Sequence, residues 1–272
     1  MQRALERHKC ARAERRRSAR IAAMSSAARA FGVARSLAMY YGIPFRAARL
    51  RRFYAQFVPR GGLCFDVGAH AGNRVRCWRQ LGARVVAIEP QPDFVRLLRW
   101  LYGRDDGVTI VPQAVGRNAG YAELLISERT PTVTTLSRAW VESVQREPGF
   151  EKVRWSRGER VDVVTLQSLV ERYGEPAFVK VDVEGFEAEA LAGLATPVRA
   201  LSFEYVPATR DIALDCIGRL AQLAPYRYNW SLGETHRLVG THWLDAAGMR
   251  ALLIGLPKHA ASGDVYAVRA DA

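Results

Sequence analysis

The apolar positions of this chain fall into two alternating patterns. Short, mostly apolar runs, Leu63 to Val67 (apolar except for Asp66), Arg84 to Ile88, Val108 to Val111, Ala177 to Val181 and Ala200 to Phe203, have the texture of strands buried on both faces. Between them the period is helical: Val75, Trp78 and Leu81 share one face, and Phe94, Leu97, Leu98 and Leu101 share another, opened by Pro92 and closed by Gly103. Leu191 and Leu194 mark a further helix after the fourth run. The remainder predicts helix Ile212 to Leu223, strand Tyr226 to Trp230, helix Trp243 to Leu253 and a last strand Val265 to Val268, the final pieces fitting an antiparallel closing pair. The pattern predicts an α/β, Rossmann-like fold.

Two regions depart from this alternation. Ahead of the first strand, Phe31, Ala34, Leu37, Ala38 and Tyr41 predict one helix face, with Ser25 or Ser26 as N-cap. Phe45 to Val58 predicts a second amphipathic helix with Leu50, Phe53, Tyr54, Phe57 and Val58 together, stopped by Pro59, Gly61 and Gly62. We expect this pair to pack on the sheet and cover one end of a ligand cleft. Residues 120–165 carry β-rich runs, Tyr121 to Ile126 and Val161 to Thr165, around Thr130 to Thr135, expected as a loop or edge strand. Insertions over strand tips commonly shape a substrate pocket.

The first strand runs into Asp66-Val67-Gly68-Ala69-His70-Ala71-Gly72. Ligands of open α/β sheets sit at such strand-to-helix turns. A diphosphate binder has G-x-G-x-x-G, whereas this spacing is D-x-G-x-x-x-G, and a carboxylate beside a diphosphate would repel it. The same carboxylate suits a ligand with an ammonium group and no phosphate, such as S-adenosylmethionine (SAM). Glu89 ends the second run 21 positions after Gly68, where an acid can take two ribose hydroxyls. Gln113 follows the third strand, where an adenine edge could be read. The bland reading makes Asp66 a helix cap and Glu89 a solvated strand end.

Further acids crowd the later turns. Asp182, Glu184 and Glu187 surround the end of the fourth strand beside Lys180, and Glu204 ends the fifth. Clustered carboxylates repel unless a cation, a shared proton or a basic partner compensates. Such a cluster could hold magnesium, but the spacing specifies no hard-cation cage, so the metal stays open.

Charge then separates the chain in two. Net charge is +13 over 272 residues, and residues 1–60 account for it, with 15 basic residues against Glu6 and Glu14; the rest holds 25 of each sign. We therefore divide the chain into a basic extension, 1–60 (1–23 a disordered arm, 25–58 two helices), and a domain, 61–272. Met24 is a candidate alternative start. A neutral domain argues against nucleic acid as substrate. A basic amphipathic helix also allows peripheral contact with an anionic membrane. No apolar run has the length of a transmembrane span or the core of a signal peptide, and Cys10, Cys64, Cys77 and Cys216 include no C-x-x-C pair. Reduced thiols in a cytoplasmic protein are the expectation.

Three motifs, Phe65-Asp66-Val67-Gly68-Ala69-His70-Ala71-Gly72-Asn73, Ile88-Glu89-Pro90 and Lys180-Val181-Asp182-Val183-Glu184-Gly185-Phe186-Glu187, together resemble the FkbM family of class I SAM-dependent methyltransferases, from about Tyr40 to Val268. Leu191-Ala192-Gly193 and Ser202-Phe203-Glu204 also fit. The first motif is shared by many methyltransferases, the third is more particular, and His70 departs from the family's frequent asparagine. The resemblance implies a seven-stranded, mostly parallel sheet with an antiparallel last strand, and O-methylation of a sugar or natural-product hydroxyl. It places cofactor binding at Asp66, Gly68, Ala69, His70, Gly72, Asn73, Glu89, Pro90 and Gln113.

Methyl transfer to a hydroxyl is an in-line displacement helped by positioning and by a base. Asp182 is the first candidate for that base, Glu184 and Glu204 the next, and His70, His236 and His242 are reserves. Trp230 and Trp243, with the neighbouring histidines, are expected as an aromatic wall over a sugar face. Two other classes remain in play: a SAM-binding module without catalysis, and a membrane-surface or nucleic-acid protein led by the basic N-terminus. The acceptor's identity and the oligomeric state are not specified.

Overall fold

The computed structural model describes residues 31–38, 46–127, 130–145, 147, 150–155 and 157–271. The expectations for residues 1–30, including the arm and the Ser25 or Ser26 cap, and for Tyr41 lie outside the described residues. Helix α1 covers 31–38 and α2 is Arg46–Tyr54. The alternation follows: β1 (Leu63–Val67), α3 (Asn73–Gln80), β2 (Arg84–Ile88), α4 (Pro92–Tyr102) and β3 (Val108–Val111). The insertion comprises β4 (Ala114–Val115), β5 (Gly120–Ile126), α5 (Arg138–Val144) and β6 (Arg157–Val164). The chain closes with α6 (Leu166–Tyr173), β7 (Phe178–Val181), α7 (Glu187–Ala192), β8 (Ala200–Tyr205), α8 (Arg210–Leu223), β9 (Tyr226–Trp230), α9 (Ala246–Gly255) and β10 (Gly263–Arg269).

Seven strands form one sheet in the order β3-β2-β1-β7-β8-β10-β9, with β10 antiparallel to both neighbours and the β1–β2, β2–β3, β1–β7 and β7–β8 pairs parallel. This is the Rossmann-like sheet with an antiparallel last strand. The chain leaves β1 toward β2 and β3 and returns on the other side at β7, so a crevice opens between the carboxyl ends of β1 and β7. All five β1 residues and all four of β7 are buried, as a central parallel strand covered on both faces requires. Phe65, Val67, Val179 and Val181 join the core under α6 to α9, while Cys64 and Phe178 join the core under α2 and α3. The insertion makes its own sheet, β4-β6-β5.

Several local expectations are corrected. In α1 the buried positions are Gly32 and Ser36, and Phe31 is exposed, so the apolar row 31/34/37/38 is not the covered face. The helix expected over Phe45 to Val58 is shorter, α2, but its apolar side is buried as expected: Leu50, Phe53, Tyr54, Phe57 and Val58 pack on Val75, Trp78, Phe178 and Tyr266. Thr130 to Thr135 is a 3-10 turn at Pro131–Val133 and an isolated bridge between Leu125 and Thr135. The helix expected from Trp243 starts at Ala246, because Leu244 is taken into a bridge with Tyr228.

Candidate functional site

Glycine is required at the turn after β1. Gly68 has φ +82, and a Cβ there would lie 1.9 Å from the Asp182 carbonyl oxygen, so the β1 and β7 turns meet backbone to backbone. The Gly68 and Ala69 N–H groups both donate to the Ile88 carbonyl, at 2.9 and 3.0 Å, which ties the turn to the end of β2. Over these three strand ends lies a cleft of about 740 Å³ including its open mouth. Gly68, His70, Asn73, Glu89, Pro90 and Gln113 line it on one side, with Asp182 and Glu184. The opposite wall comes from the insertion, through Leu124 and the stretch Pro131 to Leu136.

Glu89 is neither solvated nor loose. It is 5% exposed; one carboxylate oxygen accepts the His70 N–H and the other the Gln91 N–H, both at 2.8 Å. Burial raises its pKa to about 7. Asp66 lies beneath the cleft and not on its surface. It is 1% exposed, its Oδ2 has no hydrogen-bond partner among the described residues, and burial raises its pKa to about 6. It does not cap α3, whose N-cap is Gly72 with no side-chain cap bond. Ala69 and Gly72 are also buried off the cleft surface; at Gly72 a Cβ would meet Tyr102 and Leu98 at 2.8 and 2.9 Å. His70 is held at φ 47 with its ring 3.7 Å from that of Phe94, and burial lowers its pKa to about 3.

The β7 end is built differently. Carboxylate oxygens of Asp182, Glu184 and Glu204 lie within 4.8 Å of one another. Both ion pairs of Asp182 fall on Oδ2: Lys180 Nζ at 3.4 Å and Arg74 at 3.5 Å. Burial, then neighbouring carboxylates, push Glu184 and Glu204 well above the ordinary range. Glu204 sits within β8, one residue before its end, and lines a small hollow with Trp140, Gly185 and Glu187 beside the main cleft. Glu187, expected as one more member of the cluster, is a tie for the turn. It is buried and accepts the Val183 and Gly185 N–H groups at 3.0 and 3.2 Å, its pKa raised to about 7 by burial. Glu184 has φ 54, a left-handed conformation that a non-glycine residue adopts only when its surroundings hold it there. Trp140 packs on the next residue, Gly185, so closely that a Cβ there would lie 2.1 Å from its ring.

Below the acids lies a network that sequence reasoning missed. Lys180 is fully buried and bonds Asp264 at 2.7 Å; Asp264 accepts in turn from the Tyr266 hydroxyl at 3.1 Å. Burial opposes the charge of Lys180, yet Asp182 and Asp264 together raise its pKa. Arg74 donates to the Tyr54 hydroxyl and reaches Glu234 at 3.6 Å. Its one sequence signal is an arginine between Asn73 and Val75 at the start of an otherwise apolar helix face. Helix α2 thus reaches the site through Tyr54 and through Arg46, which bonds Glu234 at 2.9 Å, and does not line the cleft, against expectation. The aromatic wall is also absent from the cleft lining: Trp243 packs beside Phe57, and His236 is buried with its ring 6.1 Å from Phe53.

A family model described as the methyltransferase FkbM domain matches residues 66–207. A curated relative, the hexuronic acid methyltransferase AglP of Haloferax volcanii, is 28% identical over 144 residues, covering 52% of this chain and 54% of that protein. The chain therefore spans about half the length of the curated relative it matches. Similar solved structures include a precorrin-6Y C5,15-methyltransferase of Geobacter metallireducens (TM-score 0.39, 12% identity, 82% of this chain and 88% of that one). Another is a SAM-dependent O-methyltransferase of Thermotoga maritima (TM-score 0.36, 13% identity, 84% and 65%).

Proposed function

The chain belongs to the FkbM methyltransferase domain family, and from that premise we propose that it transfers a methyl group from SAM to a hydroxyl of a sugar or natural-product acceptor. The observation that carries the cofactor reading is Glu89: a buried carboxylate at the tip of β2, each oxygen oriented by a backbone N–H and each with a lone pair left for a ribose hydroxyl. Two further features fit the same ligand. Asp66 Oδ2 is a buried acceptor without a partner among the described residues, and the Gly68 turn leaves no side chain between the ligand and the backbone. Asn73, Pro90 and Gln113 complete this side of the cleft. The relative's action on a hexuronic acid supports a sugar as the acceptor class.

Bound SAM supplies an electrophilic methyl on a positively charged sulfur. The chain's own part is to orient an acceptor oxygen and to take up its proton. Asp182 is the acceptor group we assign, because Arg74 and Lys180 both grip Oδ2 and leave Oδ1 for the hydroxyl. Glu184 and Glu204 are pushed toward the neutral acid by burial and by the neighbouring carboxylates, which relieves the repulsion of three carboxyls. Calorimetry of the folded protein with SAM and with NAD tests the reading. Heat with SAM alone is expected, reduced in Glu89→Ala and Asp66→Ala; preference for NAD, or no heat with SAM, overturns it.

A further inference from the structure

The outer surface of the helical layer α2–α3–α4 carries charge of almost one sign. From Arg46 to Ile88 the chain has nine arginines and a single acid, Asp66, which is buried. Among the described residues of this stretch, Arg49, Arg51 and Arg52 of α2, Arg60 and Arg76 are exposed. The apolar side of α2 is used up in the core, so arginine is what the helix presents outward. Arg51 bonds Gln80, a neutral partner that leaves its charge uncompensated. Acids meet the layer at Glu234, which pairs with Arg46 of α2, and at α4 and the loop after it, where Asp93 pairs with Arg96, Asp105 pairs with Arg79, and Asp106 is exposed.

The same layer exposes an aromatic side chain. Trp100 is 80% exposed. It lies two residues, about 200° around the helix, from the buried Leu98, and so points away from the sheet. A large indole on an arginine-rich surface is the pairing that the headgroup region of an anionic bilayer accommodates, with guanidiniums on phosphates and the amphipathic ring at the interface. No described helix is long and apolar enough to cross a membrane, so any contact of this layer is peripheral.

We propose that the outer surface of α2, α3 and α4 docks the protein on an anionic membrane, through Arg49, Arg51, Arg52, Arg60 and Arg76, with Trp100 entering the headgroup region. A membrane fits better than a nucleic acid because, among the described residues, Trp100 has no second exposed aromatic near it in the chain on which successive bases could stack. The proposal is independent of methyl transfer, since none of these residues lines the cleft.

The full chain, mixed with vesicles of phosphatidylcholine alone or with phosphatidylglycerol added, tests it by co-sedimentation. Binding is expected only to the anionic vesicles and is expected to disappear as salt rises. Each arginine lost should weaken it about fivefold. The double variant Arg49→Glu, Arg52→Glu should fall further, with an unchanged melting temperature. Brominated lipids should quench the wild-type tryptophan emission more than that of Trp100→Phe. Equal binding by the double variant overturns the proposal, as does binding that needs residues 1–23 but not these arginines. Retention on RNA with none on anionic vesicles overturns it as well.

Discussion

The acids at the tips of β1 and β2 and those at the ends of β7 and β8 look alike as letters, but the fold treats them in opposite ways. Asp66 and Glu89 lie outside the carboxyl cluster, and Glu89 is fixed by two N–H donors. Asp182, Glu184 and Glu204 are crowded within 4.8 Å and balanced by Lys180 and Arg74 on one oxygen of Asp182. A carboxyl oriented by backbone donors is suited to holding a ligand's hydroxyls. A crowded set is suited to exchanging protons. Their common feature, acid at a strand end, therefore predicts location but not role.

The two halves touch at Gly68, and the largest effect is expected there. Gly68→Ala drives a methyl into the Asp182 carbonyl at a positive φ, costing about 3 kcal/mol or more. A melting temperature lower by roughly 10 °C, with SAM heat lost, is the expected outcome. Normal melting and normal SAM binding would mean that the halves are not rigidly joined.

Next comes Asp182→Asn, which should separate the halves functionally. SAM affinity should stay near wild type while turnover falls ten- to a hundredfold, about 1.4 to 2.7 kcal/mol of transition-state stabilisation. If affinity falls instead and turnover holds, the assignment of roles is reversed.

Glu89→Gln should do the converse, with about tenfold weaker SAM binding, or about 1.4 kcal/mol, and little change in turnover at saturation. Its pH dependence has a definite sign. Asp66 and Glu89 have folded values of about 6 and 7, above their ordinary 3.8 and 4.5, so the folded protein keeps protons that the unfolded chain releases. Stability from these groups is fully present below their ordinary values and is lost as pH rises through 6 and 7. Affinity for SAM should rise over the same interval, as Glu89 becomes a carboxylate acceptor. Melting curves and calorimetry against pH read both slopes, and Glu89→Gln should flatten each.

The smallest effect concerns the crowded half. If protons and not a cation hold Asp182, Glu184 and Glu204 together, a chelator should leave turnover unchanged. Loss on chelation with recovery in Mg²⁺ would give the cluster to a divalent ion instead.

Much of this was legible in the letters. Leu63 to Val67, Arg84 to Ile88 and Val108 to Val111 are strands over the expected spans, because a short, mostly apolar run bounded by turn residues carries its own conformation and burial. The glycine turn and Glu89 were legible too, since both follow directly from where a strand stops. The α1 face was not: a short row of apolar residues has no reason to be the buried one until a neighbour is packed against it.

What only the tertiary structure decided is the set of partners. Lys180 and Asp264 are 84 residues apart, Arg46 and Glu234 are 188 apart, and nothing in either local pattern names the other. The same holds for Trp140, which packs on the Glu184-Gly185 turn from the insertion, and for Trp243, drawn into the core beside Phe57. Periodicity and turn chemistry act over a few residues, so the sequence alone determined the strands, their acidic ends and the glycine turn. Which acids would stand apart and which would crowd depended on the order in which β1, β7, β8 and β10 pair, and that order is set by packing across the whole sheet.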